Sequence, residues 1–439
     1  MGSSLDPVLL VRAGALYVPA AIAVPLWIWR KPSRSACAGM LLASLWNFEV
    51  LALAGVVAPS LGWWKMHASG AMFAGMPLEF LIGWVVLWGV VPMLVFPNVR
   101  LIGIGAVFLF FDLATMPRLE PVLELGPRWL VGEGIALLFA LLPSVVLARA
   151  TRDRSHLAMR AVLQVAVFSG LILGMLPATI FSHTRGDPWR AWARPIWVNG
   201  LLLQVLAPIG VLGLSAVYEF AVRGGGTPVP YDPPVRLVTS GPYAYVANPM
   251  QLSAMLLLTG WGWFLGSWWV AASGVMAHIY SAGLASWDEK KDVEERFGES
   301  WREYRRHVRN WIPRWRPWHP GTETRSRARL YVAESCGPCS EVRQWFEQRR
   351  TTGLDVLPAE SYPGRPPTRI TYVAEGGTLT ERGVGALARA VEHVHFGWAM
   401  VGFSVRLPGV RHLLQLLADA SGAGPRRIEA SVRLGDGRA

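Results

Sequence analysis

The feature that most constrains this chain is a series of apolar runs, most of them at or above the roughly 18 residues that cross a bilayer as a helix. Such runs occupy about 8–29, 37–58, 76–97, 100–116, 128–148, 158–182, 196–221, 250–266 and 268–286. The fourth and eighth are short. The pattern predicts an all-α polytopic membrane bundle of about nine transmembrane helices. Composition agrees, since 52% of the 439 residues are hydrophobic and only 16% are charged. A soluble chain does not run apolar for so long without charge.

The net charge of +12 follows from Lys and Arg in short loops and in a basic tail, where they set orientation and meet anionic lipid headgroups. No basic patch lies on a nucleic-acid reading module, so no nucleic-acid partner is expected. The first run is long and lacks a small-residue cleavage site, unlike a signal peptide. Arg30, Lys31 and Arg34 follow the first span, and Arg149, Arg152, Arg154 and Arg160 separate the fifth from the sixth. Both sets belong on the cytoplasmic side, which places the N-terminus outside and everything past residue 287 in the cytoplasm. The loop "SHTRGDPWRAWAR" then falls outside despite its three arginines, which runs against the rule. The expectation is a multi-pass protein of a cell (inner or plasma) membrane.

Two turn-rich stretches interrupt the apolar pattern: "GGGTPVPYDPP" (224–234) and "TSGPYAYVANPM" (239–250). Proline fixes φ and forces extended backbone on the residue before it. Such loops either present backbone groups to a polar ligand at the membrane surface or merely end helices. The charged stretch from Trp287 to His319 reads as a helix with Val293, Phe297, Trp301, Tyr304 and Val308 on one face. Residues 317–327 ("PWHPGTETRSR") read as a linker, and a strand–turn–helix pattern begins at Ala328. The expected domains are an N-terminal transmembrane bundle of unknown role (1–195), a membrane core (196–316), the linker and a small C-terminal α/β domain (328–439).

The run "GTPVPYDPPVRLVTSGPYAYVANPM", an apolar hairpin, and then "DEKKDVEERFGESWREYRRHVRNWIP" together resemble the isoprenylcysteine carboxyl methyltransferase family, part of a wider group that includes phospholipid methyltransferases. The resemblance covers about 196–316. It implies a helical bundle with a cytosolic S-adenosyl-L-methionine pocket and a lipophilic or lipidated methyl acceptor that enters from the bilayer. Gly241, Pro242, Tyr243 and Tyr245 match the first block, and Asn248 and Pro249 match its end. Glu289 stands at the first glutamate of the second block; Phe297, Gly298, Tyr304 and Arg305 match its signature. The implied cofactor residues are Gly241, Tyr243, Tyr245, Asn248, Pro249, Glu289, Tyr304 and Arg305. Ala247, Gln251 and Lys290 depart from the family's arginine, tyrosine and second glutamate.

Methyl transfer from a sulfonium asks little of side chains, because the cation's charge disappears as the methyl leaves. Alignment and exclusion of water supply much of the rate. A carboxylate acceptor needs no base, whereas an amine, phenol or thiol does. Glu289 either binds the cofactor's polar groups or is a solvated helix charge, and Tyr304 either binds cofactor or packs. The acids Glu49, Glu79, Asp112, Glu133 and Glu219, with Arg12 and His278, lie in or near apolar runs. Ionisable groups at that depth are paired or functional. Glu49, Glu79 and His278 are candidates for an acceptor pocket, with structural hydrogen bonding as the alternative.

The second constellation is "LYVAESCGPCSEVRQWFEQR". A thiol at a helix N-terminus has a lowered pKa, and the spacing lets Cys339 resolve a mixed disulfide on Cys336. Zinc half-site and plain structural thiols are the alternatives; with only three cysteines, no metal is expected. The segment 328–427 resembles the thioredoxin-like superfamily, and within it DCC-type thiol-disulfide oxidoreductases, although Glu334 and Ser335 stand where the usual acidic start lies. By that resemblance Pro367 is the cis-proline beside the redox site. The combined expectation is a membrane S-adenosylmethionine-dependent methyltransferase, with Glu289, Cys336 and Cys339 as its catalytic candidates, fused to a cytosolic redox domain that meets a thiol partner. The rival expectations are a membrane-anchored thiol-disulfide oxidoreductase on a non-catalytic scaffold, and a non-enzymatic scaffold or carrier.

Overall fold

The computed structural model describes residues 6–67, 70–184, 186–229, 232–281, 286–320, 327–334 and 337–425. The chain forms two compact units, Met1–Leu176 with Gly226–Pro233, and Pro177–Gly225 with Pro234–Ala439. The second unit gathers into one body most of what the sequence divides into membrane core, linker and C-terminal domain.

Among the described residues, seven helices are long and apolar enough to cross a membrane: α1 (Pro7–Arg30), α2 (Arg34–Leu61), α3 (Leu78–Val95), α4 (Leu101–Arg118), α5 (Trp129–Arg152), α6 (Leu157–Thr184) and α7 (Ile196–Gly224). The last two expected spans, 250–266 and 268–286, fall on an apolar hairpin, α8 (Pro249–Leu265) and α9 (Trp268–Tyr280); residues 282–285 lie outside the described residues. Gly266 ends α8 at φ 73°, and Ser267 Oγ accepts from the Val270 N–H to start α9, so the chain reverses where the sequence places the turn. Gly262 keeps the hairpin tight, for a Cβ there would stand 2.2 Å from the Ala271 nitrogen.

The first unit closes around a tryptophan chain. Trp63, Trp64, Trp84 and Trp88 follow one another at ring-centroid distances of 5.7, 6.3 and 6.2 Å. Its acids are held in three ways. Glu79 pairs with Arg12 at 2.7 Å. Asp112 and Glu133 are each 1% exposed and hydrogen-bond to each other. The Glu49 carboxylate lies against the backbone of α6, where a Cβ on Gly170 would come within 2.2 Å of its oxygen. The proline-rich segment 226–233 belongs to this unit, anchored by Arg160 to Asp232 at 2.6 Å.

In the second unit α10 (Ser286–His307) follows the hairpin, with a non-helical Gly298 at φ 54°. It stops at His307 rather than His319, because Pro313 and Pro317 cannot continue a helix. The stretch 308–320 is irregular and is not a free linker at its end: Trp318 is 9% exposed and packs on Tyr304 at 5.4 Å. Four strands come next, β1 (Ala328–Val332), β2 (Leu354–Pro358), β3 (Thr371–Val373) and β4 (Thr380–Arg382). They form one sheet in the order β2-β1-β3-β4; β1 and β2 are parallel, while β3 and β4 pair antiparallel. Helix α11 (Gly337–Glu347) makes the crossover from β1 to β2. Helices α12 (Val384–Val391), α13 (Phe396–Arg406) and α14 (Pro408–Ala418) complete the unit. Among the described residues the cis peptide is Glu120–Pro121, so the bond into Pro367 is trans, against expectation. An X–Pro bond is nearly balanced between isomers, so context selects. Here Pro367 stands four residues ahead of β3 rather than at its mouth.

Candidate functional site

The loop 240–249 is built as a rigid plate. Gly241 takes φ 60° and opens a short 3-10 turn, Gly241–Ala244. The Tyr243 N–H donates to Ser240 O, and the Tyr245 and Val246 N–H groups both donate to Pro242 O. The irregular stretch after α10 is stitched along the loop. The Ala247 and Asn248 N–H groups donate to the carbonyls of Arg309 and Asn310, while those of Arg314 and Trp318 donate to the carbonyls of Tyr245 and Ala244. The Tyr304 hydroxyl adds a fifth tie, donating to Tyr243 O at 2.8 Å. Tyr304, Val308, Trp318 and Ala247 close a small core beneath.

These bonds assign work to the tyrosines. Tyr304 and Tyr245 are 1% and 0% exposed. Burial raises both hydroxyls well above the ordinary tyrosine range, so each is a neutral donor. The Tyr245 hydroxyl donates to Glu392 O at 2.6 Å. Both hydroxyls are thus committed to backbone carbonyls. Tyr243 differs: its ring lies 6.1 Å from that of Phe220, and its buried hydroxyl has no partner. Pro249 begins α8, and Asn248 stands at its N-terminus without capping it with its side chain. His278, on α9, sets its ring edge-on to Trp311 at 5.0 Å and buries Nδ1 without a partner. The Arg305 guanidinium lies over Trp301 at 5.6 Å and donates to Val308 O. Glu289 lies near the start of α10; its side chain is outside the described residues, as is Cys336.

Set against a polar, cationic cofactor, the residues fit in part. Asn248, the Tyr243 hydroxyl and His278 Nδ1 are polar groups not consumed by the fold. They flank the loop and the end of the α8–α9 hairpin where α8 begins.

Under the plate lies a cluster that sequence reading did not assemble. Glu219, at the end of α7, is 0% exposed. Its carboxylate accepts from Ser240 Oγ at 2.6 Å, pairs with Arg389 at 2.8 Å and Arg406 at 3.3 Å, and lies 3.6 Å from Arg223. Glu392 takes Arg406 at 2.6 Å from its other side. A Cβ on Gly241 would stand 3.1 Å from the Glu219 carboxyl carbon. The loop therefore rests on a carboxylate held by two arginines of α12 and α13. Arg389 in the otherwise apolar α12, with Glu392 just past its end, and Glu219 in an apolar run were the signals the sequence offered.

Cys339 lies half-buried in the first turn of α11 and packs against both β-sheet cores. Among the described residues no group of His, Cys, Asp and Glu is arranged to hold a metal. Glu49 and Glu79 belong to the first unit, and the loop and His278 to the second.

The family model described as phospholipid methyltransferase matches residues 205–300. The match runs from the middle of α7 through the loop and hairpin into α10, less than a quarter of the chain. It supports a membrane methyltransferase at that level. No curated protein and no solved structure matches the chain.

Proposed function

We propose that the chain is a membrane methyltransferase that uses S-adenosylmethionine to methylate a lipophilic acceptor, with its cofactor site on the cytoplasmic side. The observation that carries the reading is the hydrogen-bonded plate 240–249 lying within the family match, with unspent polar groups beside it. When bound, the cofactor supplies an electrophilic methyl group on a sulfonium. The chain's part is to bind and orient. Asn248 and Glu289 take the cofactor's polar groups, and the Tyr243 hydroxyl, neutral because burial raises its pKa, donates rather than accepts. The buried tyrosines and Trp318 exclude water, which favours a reaction that neutralises charge. A carboxylate acceptor needs no base; for any acceptor that does, His278 is the nearest imidazole on the hairpin.

The C-terminal part supports a second activity in the same chain. Its parallel β–α–β unit followed by an antiparallel hairpin is the order a thioredoxin-like domain uses, and Gly337, Pro338 and Cys339, which follow Cys336 in sequence, open the helix after the first strand. A Cys336 thiolate would attack a substrate disulfide, and Cys339 would then displace it. Two chain thiols become a disulfide as the substrate disulfide becomes two thiols.

The test is calorimetric titration of S-adenosylmethionine into the detergent-purified full chain. Micromolar binding is expected, weakened by about tenfold or more, roughly 1.4 kcal/mol, in Asn248→Ala and Glu289→Ala. A well-folded protein that takes up no cofactor would sink the reading. Turnover abolished by Cys336→Ser but retained in Asn248→Ala would favour the anchored oxidoreductase.

A further inference from the structure

Helix α14 is amphipathic the wrong way round for a soluble domain. Its polar side faces the protein. Arg411 pairs with Glu381 at 3.0 Å, and Gln415 Oε1 accepts from the Val384 N–H at 2.9 Å. Just past the helix, Asp419 takes Arg369. Its apolar side faces out: Val410, Leu413, Leu416 and Leu417 are 39%, 58%, 67% and 56% exposed, and no residue of the helix is buried. A helix in a globular domain turns its apolar stripe inward, so this face is made for a covering.

The neighbouring helix says what covers it. Helix α13 does not lie on the β-sheet alone. Its Ala399 and Phe403 bury together with Leu212 of α7 and Met255 of α8, and its Arg406 reaches Glu219. Leu212 and Glu219 are about 10 Å apart along a spanning helix, so α13 runs beside the final turns of a membrane span. The chain then reverses at Leu407–Pro408 into α14. At the other end of α13, Ile312 and Trp315 are 61% and 64% exposed, with Arg309, Arg314 and Arg316 beside them in sequence. Trp315 stacks on His395, the α13 N-cap, at 4.5 Å. Exposed tryptophan with arginine is the composition of a membrane–water interface.

We infer that α13 and α14 form a helical hairpin seated in the membrane interface, with the leucine face of α14 in contact with lipid chains. The C-terminal domain is thereby a monotopic element on the bilayer that carries its own span-side contact, rather than a soluble appendage. Contact with lipid buries the leucines without desolvating the polar side, which the protein already occupies.

The experiment places a nitroxide at Leu413→Cys, Leu416→Cys or Leu417→Cys, one at a time. The background is the full chain carrying Cys37→Ser, Cys336→Ser and Cys339→Ser, in phosphatidylcholine/phosphatidylglycerol nanodiscs. Gln344→Cys on α11, exposed, is the aqueous reference. Accessibility to oxygen and to a water-soluble nickel chelate is read by power saturation. The oxygen-to-nickel ratio at the three leucine sites is expected to exceed that at Gln344 by about tenfold, because hydrocarbon excludes a polar chelate. Nickel accessibility equal to that of Gln344 would overturn the inference. Protection from both reagents, with dipolar broadening between labels, would also overturn it, by showing a second copy of the chain on this face. All three positions are exposed in the fold, so the labels test the face without disturbing the core.

Discussion

Replacing Glu219 with Gln is the sharpest test of how the methyltransferase-like loop is supported. The substitution keeps shape and removes one charge. In the native cluster Glu219 and Glu392 face Arg389, Arg406 and Arg223, two negative charges against three positive. After substitution one carboxylate faces three guanidinium groups, and Arg389 and Arg406 remain 3% and 5% exposed at their side chains. Breaking a buried pair so that a charge is left uncompensated costs about 3–5 kcal/mol. For a body of this size each kcal/mol moves the midpoint by about 2–4 °C, so a fall of roughly 6–20 °C is expected in the transition of the second unit. The assay is thermal unfolding of detergent-solubilised protein, with the double variant Glu219→Met/Arg389→Met beside it. The double variant is expected to recover much of the loss, since it removes the orphaned charge as well. A single variant that melts within about 2 °C of the native chain would refute the reasoning. It would mean that water already shares the site.

Two further outcomes are expected. His393 donates Nδ1–H to Thr352 O and accepts at Nε2 from the Tyr372 hydroxyl; burial first lowers its pKa to about 4, and burial, then His393, lowers that of its stacked neighbour His319 to about 3. Their folded values lie below the unfolded 6.5, so stability is full above pH 6.5 and falls as pH drops toward 4, by up to about 1.4 kcal/mol per pH unit for each histidine. Urea unfolding between pH 6.5 and 5, where ordinary carboxylates stay charged, reads this slope; a flat profile rejects it, and His319→Asn is expected to halve it. Gly241→Ala forces a side chain into φ 60° against Glu219, a loss of about 1–2 kcal/mol from backbone strain alone. Cofactor binding is expected to fall with it, and an alanine variant with native melting and native binding would show that the plate is not strained there.

The membrane class, the order of the apolar helices and the two chemistry-bearing blocks are legible in the sequence. They depend on local properties: apolar length, proline and glycine placement, and residue spacing. Those same properties misjudged one end. The stop of α10 at His307 was set by where prolines fall against a packed surface. Pattern matching likewise grouped Tyr243, Tyr245 and Tyr304 as one kind of residue. Only the tertiary structure separates them, since a hydroxyl's partner is chosen by what the fold brings within 3 Å. The support beneath the loop was hidden for the same reason: Glu219, Ser240, Arg389, Glu392 and Arg406 are spread over 188 residues. No periodicity links charges so far apart; only burial, which makes an unpaired charge too costly, requires them to meet. The outward leucines of α14 show the limit most clearly. The sequence determined that the helix has an apolar side, because that is a matter of spacing. Which side faces the protein was decided by the ion pairs to Glu381 and Arg369, and so by tertiary structure alone.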